Sequence, residues 1–399
     1  MQAFIQLYMI VFAMTSVRPG LAIVIPPTDH NKVCTTKECD ELAKRILDAM
    51  DKDKDPCDDF YDFVCAKWAS KAKIPPGRTA MNRFVETAME VEKNMEHSIK
   101  SWSPRPGPQT PRDKMATLFR ICKRTDITEE QDIRHLKDVL KDSSFASWPR
   151  AHPGTAPIRQ SGVLMTNGWH GLFGISVEPD VFHFGKHGLY MDVPRFKPLS
   201  EQAFRDLNER GRLKYKSFIN DVLKKIHPEL IRHIDTIAGG IYQFELEIMR
   251  STTMDSLTRG NNYIVVPLKD LDNTIPGLQW KEIIKHKFNF IKIRLEDSRK
   301  VVVWRSVYYK DLTSKIRSKI TPEVLFNYLG WKLVVELIPY TRKKLYDIHS
   351  EFMQSVDPSF NKMPPEDTCI KDLMSNMKYI FGKLYVTAYF DEQSVSDVS

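Results

Sequence analysis

Asp55-Pro56-Cys57-Asp58-Asp59-Phe60-Tyr61-Asp62-Phe63-Val64-Cys65, closed by Trp68, is the stretch from which the rest of the chain is read. Carboxylates favour the positive end of a helix dipole and proline is tolerated in a first turn, so this acidic run with Pro56 predicts a helix that begins here. Phe60, Phe63 and Val64 recur at i, i+3 and i+4 and share a face with Trp68, leaving Asp58, Asp59 and Asp62 toward water. One side of the helix is expected to be covered. Cys57 and Cys65 stand eight residues apart, which on a helix is about 12 Å at 1.5 Å per residue, too far for a direct bond. Each therefore wants a partner elsewhere.

Preceded by a Cys-x4-Cys pair, Cys34 and Cys39, and an amphipathic helix, this motif resembles the opening of the neprilysin and endothelin-converting enzyme family of zinc metallopeptidases. Asp55, Pro56, Cys57, Asp59, Phe60, Tyr61, Cys65 and Trp68 carry the resemblance. Tyr242-Gln243-Phe244-Glu245, Tyr328-Leu329-x-Trp331 and Met377 to Tyr389 are weaker matches, and they extend it over nearly the whole chain.

A chain of 399 residues, 42% apolar and 11% aromatic, can bury a substantial core. Its net charge of +8 comes from 59 basic residues scattered among 51 acidic ones, with no long basic run and no nucleic-acid-binding module, so nucleic acid is excluded as a partner. Ala3 to Met14 is almost wholly apolar and is then broken by Thr15, Ser16 and Pro19-Gly20. That run is shorter than the roughly 20 apolar residues of a membrane span and fits a signal peptide over 1–22, with an uncleaved anchor as the alternative. The chain is accordingly expected to be extracellular and secreted, or membrane-anchored with an extracellular domain.

Six cysteines in an exported chain read as a disulfide framework rather than as metal ligands. Cys34 and Cys39 close a short loop. The resemblance implies a long-range bridge between Cys122 and Cys369, both of which sit on helical patterns. At the family positions that match Cys57 and Cys65, cysteines bond to the C-terminal catalytic half, so these two are expected to be unpaired or interdomain.

Along the chain, Ala43, Ile46, Leu47 and Met50 mark a short amphipathic helix, and Phe84, Ala88, Val91, Met95 and Ile99 mark a longer one that Pro104, Pro106 and Pro108 end. Thr110-Pro111 caps the next, with Met115, Leu118, Phe119 and Cys122 on one face. Between Trp148 and Pro198, Gly171 to Val177 and Val181 to Phe184 read as a small β element. Ile234 to Met249 is helical, and Asn261 to Pro267 is extended. Thr321-Pro322-Glu323 starts a helix whose Val324, Leu325, Tyr328, Leu329, Val334, Leu337 and Ile338 form the strongest apolar stripe of the chain. Cys369, Leu373, Met377, Ile380, Leu384 and Ala388 form another, and after Tyr389 the chain runs out without a capping signal.

A zinc endopeptidase of this kind needs two histidines one helical turn apart with a glutamate between them, and no His-Glu-x-x-His occurs in these residues. His183 and His187 have that spacing, but in a β-like stretch they would lie about 13 Å apart, and no Glu stands between them. They read as surface or partly buried histidines. No Gly-x-Ser-x-Gly elbow, phosphate loop or Cys-x-x-Cys is present. Asp55, Asp58 and Asp59 read as a capped helix end rather than a calcium loop, and Cys57 and Cys65 have no activating histidine beside them. The resemblance also implies an Arg and an Asp that contribute to the substrate cavity shortly after the Ile-Pro turn. Aligned on Ile74-Pro75, those positions fall on Ala80 and Val85, neither of which can pair with a peptide carboxylate, while Arg78 or Arg83 could substitute after a shift of register.

The fold expected is mainly α, a multi-helix lid-type domain over 23–399 with a minor β element, stapled by disulfides. The resemblance implies the substrate-gating N-terminal half of a zinc metalloendopeptidase, with zinc and the general base in the absent catalytic domain. Catalytic and metal residues are therefore expected to be none in this chain, and its partners to be peptides and that catalytic domain. Two readings stay open: an incomplete product of a peptidase gene, or a standalone secreted homologue that binds peptides or a protein partner.

Overall fold

A computed structural model of the chain describes residues 34–78, 80–151, 171–180, 183–257, 263–363 and 365–389. The segment read as a signal or anchor lies outside these residues. Among the described residues no helix is long and apolar enough to cross a membrane. Two compact units emerge: one gathers the chain up to Arg124 with the chain from Phe360 onward, and the other is Thr125–Ser359.

The first unit starts with α1 (Lys37–Ala49), where the Thr36 hydroxyl accepts from the Cys39 N–H beside the Cys34–Cys39 disulfide. Helix α2 is Phe60–Lys71, so the organising stretch turns helical later than its acidic run suggests. The reason is local. The Asp55 carboxylate accepts the Cys57 N–H at 2.8 Å, which makes a turn of Asp55–Asp58, and Asp59 becomes the cap by accepting from the Asp62 N–H at 2.9 Å. Pro56 therefore sits in the turn, outside the helix. No residue of α2 is fully buried.

Asn82 caps α3 (Arg83–Ser101). In α4 (Pro111–Cys122), Thr110 and Asp113 form a reciprocal capping box behind Pro111. Asp113 is fully buried, and bonds from Thr110, then Trp102 and Arg105, hold its carboxyl well below the usual carboxylate range.

In the second unit, α5 (Glu129–Asp142) is followed by a β-hairpin, β1 (Gly174–Pro179) and β2 (His187–Asp192). The β element expected at Val181 to Phe184 is corrected here. Phe184 lies in the turn, fully exposed beside Gly185 at φ 76°, Val181 lies outside the described residues, and the second strand follows the turn. Helices α6 (Glu209–Ile226) and α7 (Ile234–Leu257) precede β3 (Tyr263–Pro267), which is extended as expected. Then come α8 (Trp280–Phe290) and β4 (Lys300–Trp304), a strand that periodicity leaves unread. The sheet order is β1-β2-β4-β3, with β2 and β4 parallel through Leu189 opposite Val301 and the other pairs antiparallel.

Helices α9 (Ser306–Ser318), α10 (Pro322–Leu337) and α11 (Lys344–Val356) complete this unit. The stripe expected on α10 proves to be a helix buried on every side from Leu325 to Val335. Phe145 stacks on its Phe326 at 5.1 Å, Phe244 of α7 meets Tyr328 edge-on at 4.9 Å, and Phe218 of α6 meets Trp331 at 5.4 Å. Lys332 is carried into this core and bonds Glu245 of α7 at 3.1 Å. The same carboxylate accepts from Tyr215 OH at 2.5 Å, and Trp331 Nε1 donates to Tyr215 OH at 3.2 Å, so the buried charges are matched.

The chain then returns to the first unit with α12 (Cys369–Asn376) and α13 (Lys378–Tyr389), which break at Met377 where one continuous stripe was expected. Met95, Ile99, Met115, Phe119, Ile370, Leu373 and Phe381 pack together around Cys369. The Cys122–Cys369 bridge implied by the resemblance is present and closes a separation of 247 residues, which in the chain-entropy account stabilises by about 5 kcal/mol.

Gly330 has no room for a side chain, because a Cβ there would fall 2.1 Å from the Trp148 ring, whose Nε1 donates to Asn327 O at 3.0 Å. Gly330→Ala is expected to destabilise the second unit by about 3 kcal/mol, read as a lowered denaturant midpoint, and an unchanged midpoint would refute this packing. Burial beside α6, with Lys197 nearby, pushes His349 down to about 4. Its folded pKa lies below its unfolded value near 6.5, so its contribution is present above pH ~6.5 and is lost as pH falls toward 4, by about 3 kcal/mol. The melting temperature should drop across that window, and a His349→Phe variant should show a flatter profile.

Candidate functional site

The two outer helices of the first unit carry the features that the sequence singled out. Leu42, Ile46 and Leu47 of α1 are each about half exposed, and Phe60 and Tyr61 at the start of α2 are 66% and 62% exposed. Phe84, at the start of α3, is 60% exposed. The side of α2 expected to be covered is thus only partly so: Phe63, Val64 and Trp68 are half-buried, and Phe60 points outward with its ring 6.5 Å from that of Phe63. Large apolar side chains left exposed on successive helices are of the kind that a partner surface covers.

Cys57 and Cys65 belong to the same stretch. Neither forms a disulfide; Cys57 is exposed in the turn before α2 and Cys65 is half-buried on the helix. The other four cysteines pair as expected, Cys34 with Cys39 and Cys122 with Cys369. The acidic residues of the motif act as caps rather than as ligands, since Asp55 and Asp59 each accept a backbone N–H.

Ala80 is exposed and Val85 is half-buried in the first turn of α3, and neither presents a charge. The two arginines that could stand in are already engaged. Arg78 pairs with Glu92 at 2.7 Å, and Arg83 pairs with Glu86 at 2.7 Å while its guanidinium sits 4.8 Å from the Trp68 ring centre. The turn just before Arg78 is fixed: Gly77, at φ 69°, donates to Asn361 O at 2.9 Å and is covered by Met363.

His183 occupies the β1–β2 turn with Nδ1 3.0 Å from the Asp180 carboxylate, and His187 opens β2 opposite Pro179. They flank a hairpin turn rather than lying along one extended strand. Among the described residues no group of three or more His, Cys, Asp or Glu side chains is placed to hold a metal ion. The resemblance itself places the zinc outside this half, and no catalytic step is assigned to the described residues.

Periodicity also left unread a cleft of about 210 Å³ on the second unit, lined by Lys285, Asn289, Arg294 and Leu295. The only sequence signal for it is the basic enrichment of Lys281, Lys285, Lys287, Lys292 and Arg294.

Comparison with known proteins converges on one family. The chain is 23% identical over 394 residues to neprilysin-1 of Trittame loki, covering 92% of this chain and 52% of that protein. It is 21% identical over 396 residues to neprilysin of Mus musculus, covering 93% of this chain and 52% of that protein. The chain spans about half the length of the curated relatives it matches. Its fold is similar to that of the zinc metalloprotease Zmp1 of Mycobacterium tuberculosis, solved with an inhibitor, at a TM-score of 0.71 and 16% identity, over 88% of this chain and 53% of that one. PepO of Lactobacillus rhamnosis gives a TM-score of 0.64 at 12% identity, over 86% and 53%. The family model described as peptidase family M13 matches residues 56–399. By that match, and by the opening motif and disulfides that agree with it, this chain belongs to peptidase family M13, whose N-terminal region it carries.

Proposed function

We propose that this chain is the peptide-admitting half of a zinc metalloendopeptidase and works by docking against a catalytic half that supplies the metal and the general base. The observation that carries the reading is the coincidence, on α1 and α2, of an exposed apolar surface with two unbridged cysteines in a chain whose other four are paired. A surface of this kind gains by burial, at about 25 cal/mol per Å² of apolar area removed from water. A thiol at its edge is placed for a covalent tie. In this role the helices act as a sieve that admits peptides and excludes folded proteins, in an extracellular setting where the bridged cysteines persist.

A second reading has its own support. Ala80 and Val85 carry no charge and Arg78 and Arg83 are spent on Glu92 and Glu86, so the substrate-side contribution is altered. This favours a secreted homologue without catalysis that binds peptides or a protein partner.

The docking reading is tested by thiol chemistry. The purified chain should show two titratable thiols that peptide mapping assigns to Cys57 and Cys65, or should form intermolecular bridges through them. A clean monomer with no free thiol overturns the reading. Incubated with peptide substrates, the chain alone is expected to release no product. Hydrolysis by these residues that a chelator abolishes would transfer the catalytic role to this chain.

A further inference from the structure

Helix α8 ends in a reversal that no glycine announces. The Ile293 N–H bonds Phe288 O at 2.9 Å and the Lys292 N–H bonds Asn289 O at 2.9 Å, the pair of bonds that makes a Schellman cap. Lys292 takes the left-handed position, at φ 59°, where glycine is usual. Past this cap the chain doubles back, so that Arg294 and Leu295 face Lys285 and Asn289 across the open cleft.

The chemistry of the lining is one-sided. Lys285, Asn289 and Arg294 all bring N–H donors, Leu295 supplies an apolar wall, and no carboxylate is among the lining residues. Asp297, outside the lining, is bonded by Lys281 Nζ at 2.9 Å and Lys285 Nζ at 2.6 Å. Glu282 and Asp272 also act on Lys281, so carboxylates outside the lining balance these two ammoniums. Arg294 supplies the unbalanced charge of the lining: it is exposed and, among the described residues, makes no hydrogen bond or ion pair. The negative end of the α8 dipole opposes an anion here, but the cap bonds occupy two of its last carbonyl groups.

We propose that this cleft binds a tetrahedral oxyanion, the sulfate or phosphate of an ester, with the Arg294 guanidinium taking two of its oxygens and Lys285 and Asn289 completing the shell. The volume exceeds one such group and leaves space along Leu295 for the first carbons of the esterified alcohol. The site is independent of the peptidase reading, since none of its residues belongs to the α1–α2 surface.

The test titrates the intact chain with inorganic sulfate at low ionic strength, followed by calorimetry and by the arginine side-chain resonances. Saturable one-to-one binding is expected, weakened about tenfold or more in Arg294→Ala and unchanged in Arg210→Ala, a substitution of equal charge on α6. Arg294 makes no internal contact whose loss would unfold the chain, and circular dichroism of each variant checks this. Equal weakening by both substitutions, or no saturation, overturns the proposal. Two further arms separate the sources. Arg294-dependent co-sedimentation with phosphatidylglycerol vesicles assigns the anion to a lipid headgroup, and Arg294-dependent binding of a sulfated disaccharide without vesicle binding assigns it to a soluble ester.

Discussion

A helix buried on every side has to be wrapped completely, and α10 imposes that requirement on the second unit. From Leu325 to Val335 every residue is buried, so α5, α6, α7 and the segment around Trp148 must all close on it. The sequence of this helix nevertheless includes Lys332, whose side chain is 3% exposed. A buried ammonium without a counter-charge costs several kcal/mol, and Glu245 cancels it only because α7 presents that carboxylate at the same level. Tyr215 extends the match. Burial and the charge of Glu245 push its hydroxyl well above the ordinary phenol range, so it stays protonated and donates to the carboxylate. Three helices are thereby held in one register by a polar contact that apolar packing alone would not specify.

The first unit is organised on the opposite principle. Its apolar cluster is small, and the Cys122–Cys369 bridge runs through it. The outer helices α1 and α2 contribute little to that cluster, and their large side chains remain at the surface. This unit keeps Phe60, Tyr61 and Leu47 exposed while a disulfide runs through its interior. That difference between a second unit with a large buried core and a first unit with exposed outer helices is what the proposed docking draws on.

What could be read from the chain follows from how local each signal is. Thr110-Pro111 and Thr321-Pro322 announced helix starts that the structure keeps, because a cap is settled within four residues. Pro56 misled because the Asp55 side chain competes for the backbone and makes a turn first. The second strand was placed on Val181 to Phe184 rather than His187–Asp192 because a hairpin turn with an exposed Phe184 has the composition of a strand. Strand β4 escaped since Val301, Val302 and Val303 acquire a partner only from β2 and β3, over 30 residues away in sequence. On the candidate site, spacing shows only that Cys57 and Cys65 cannot bond to each other, and the expectation that both stay unbridged within this chain comes from the resemblance. The Cys122–Cys369 pairing comes from the resemblance, and the Arg294 cleft, hinted at only by the local basic residues, depends on a left-handed lysine.

The connectivity of the first unit has a temporal consequence. Its strands of chain come from both sides of Thr125–Ser359, so α12 leaves the ribosome only after the whole of that intervening segment. During synthesis the later segment can reach its native state while α3 and α4 still wait for Cys369, Ile370 and Leu373. Until then Cys122 is an unbridged thiol on an uncovered helix face. Correct pairing at Cys122 is therefore settled only once the segment that carries Cys369 has been made.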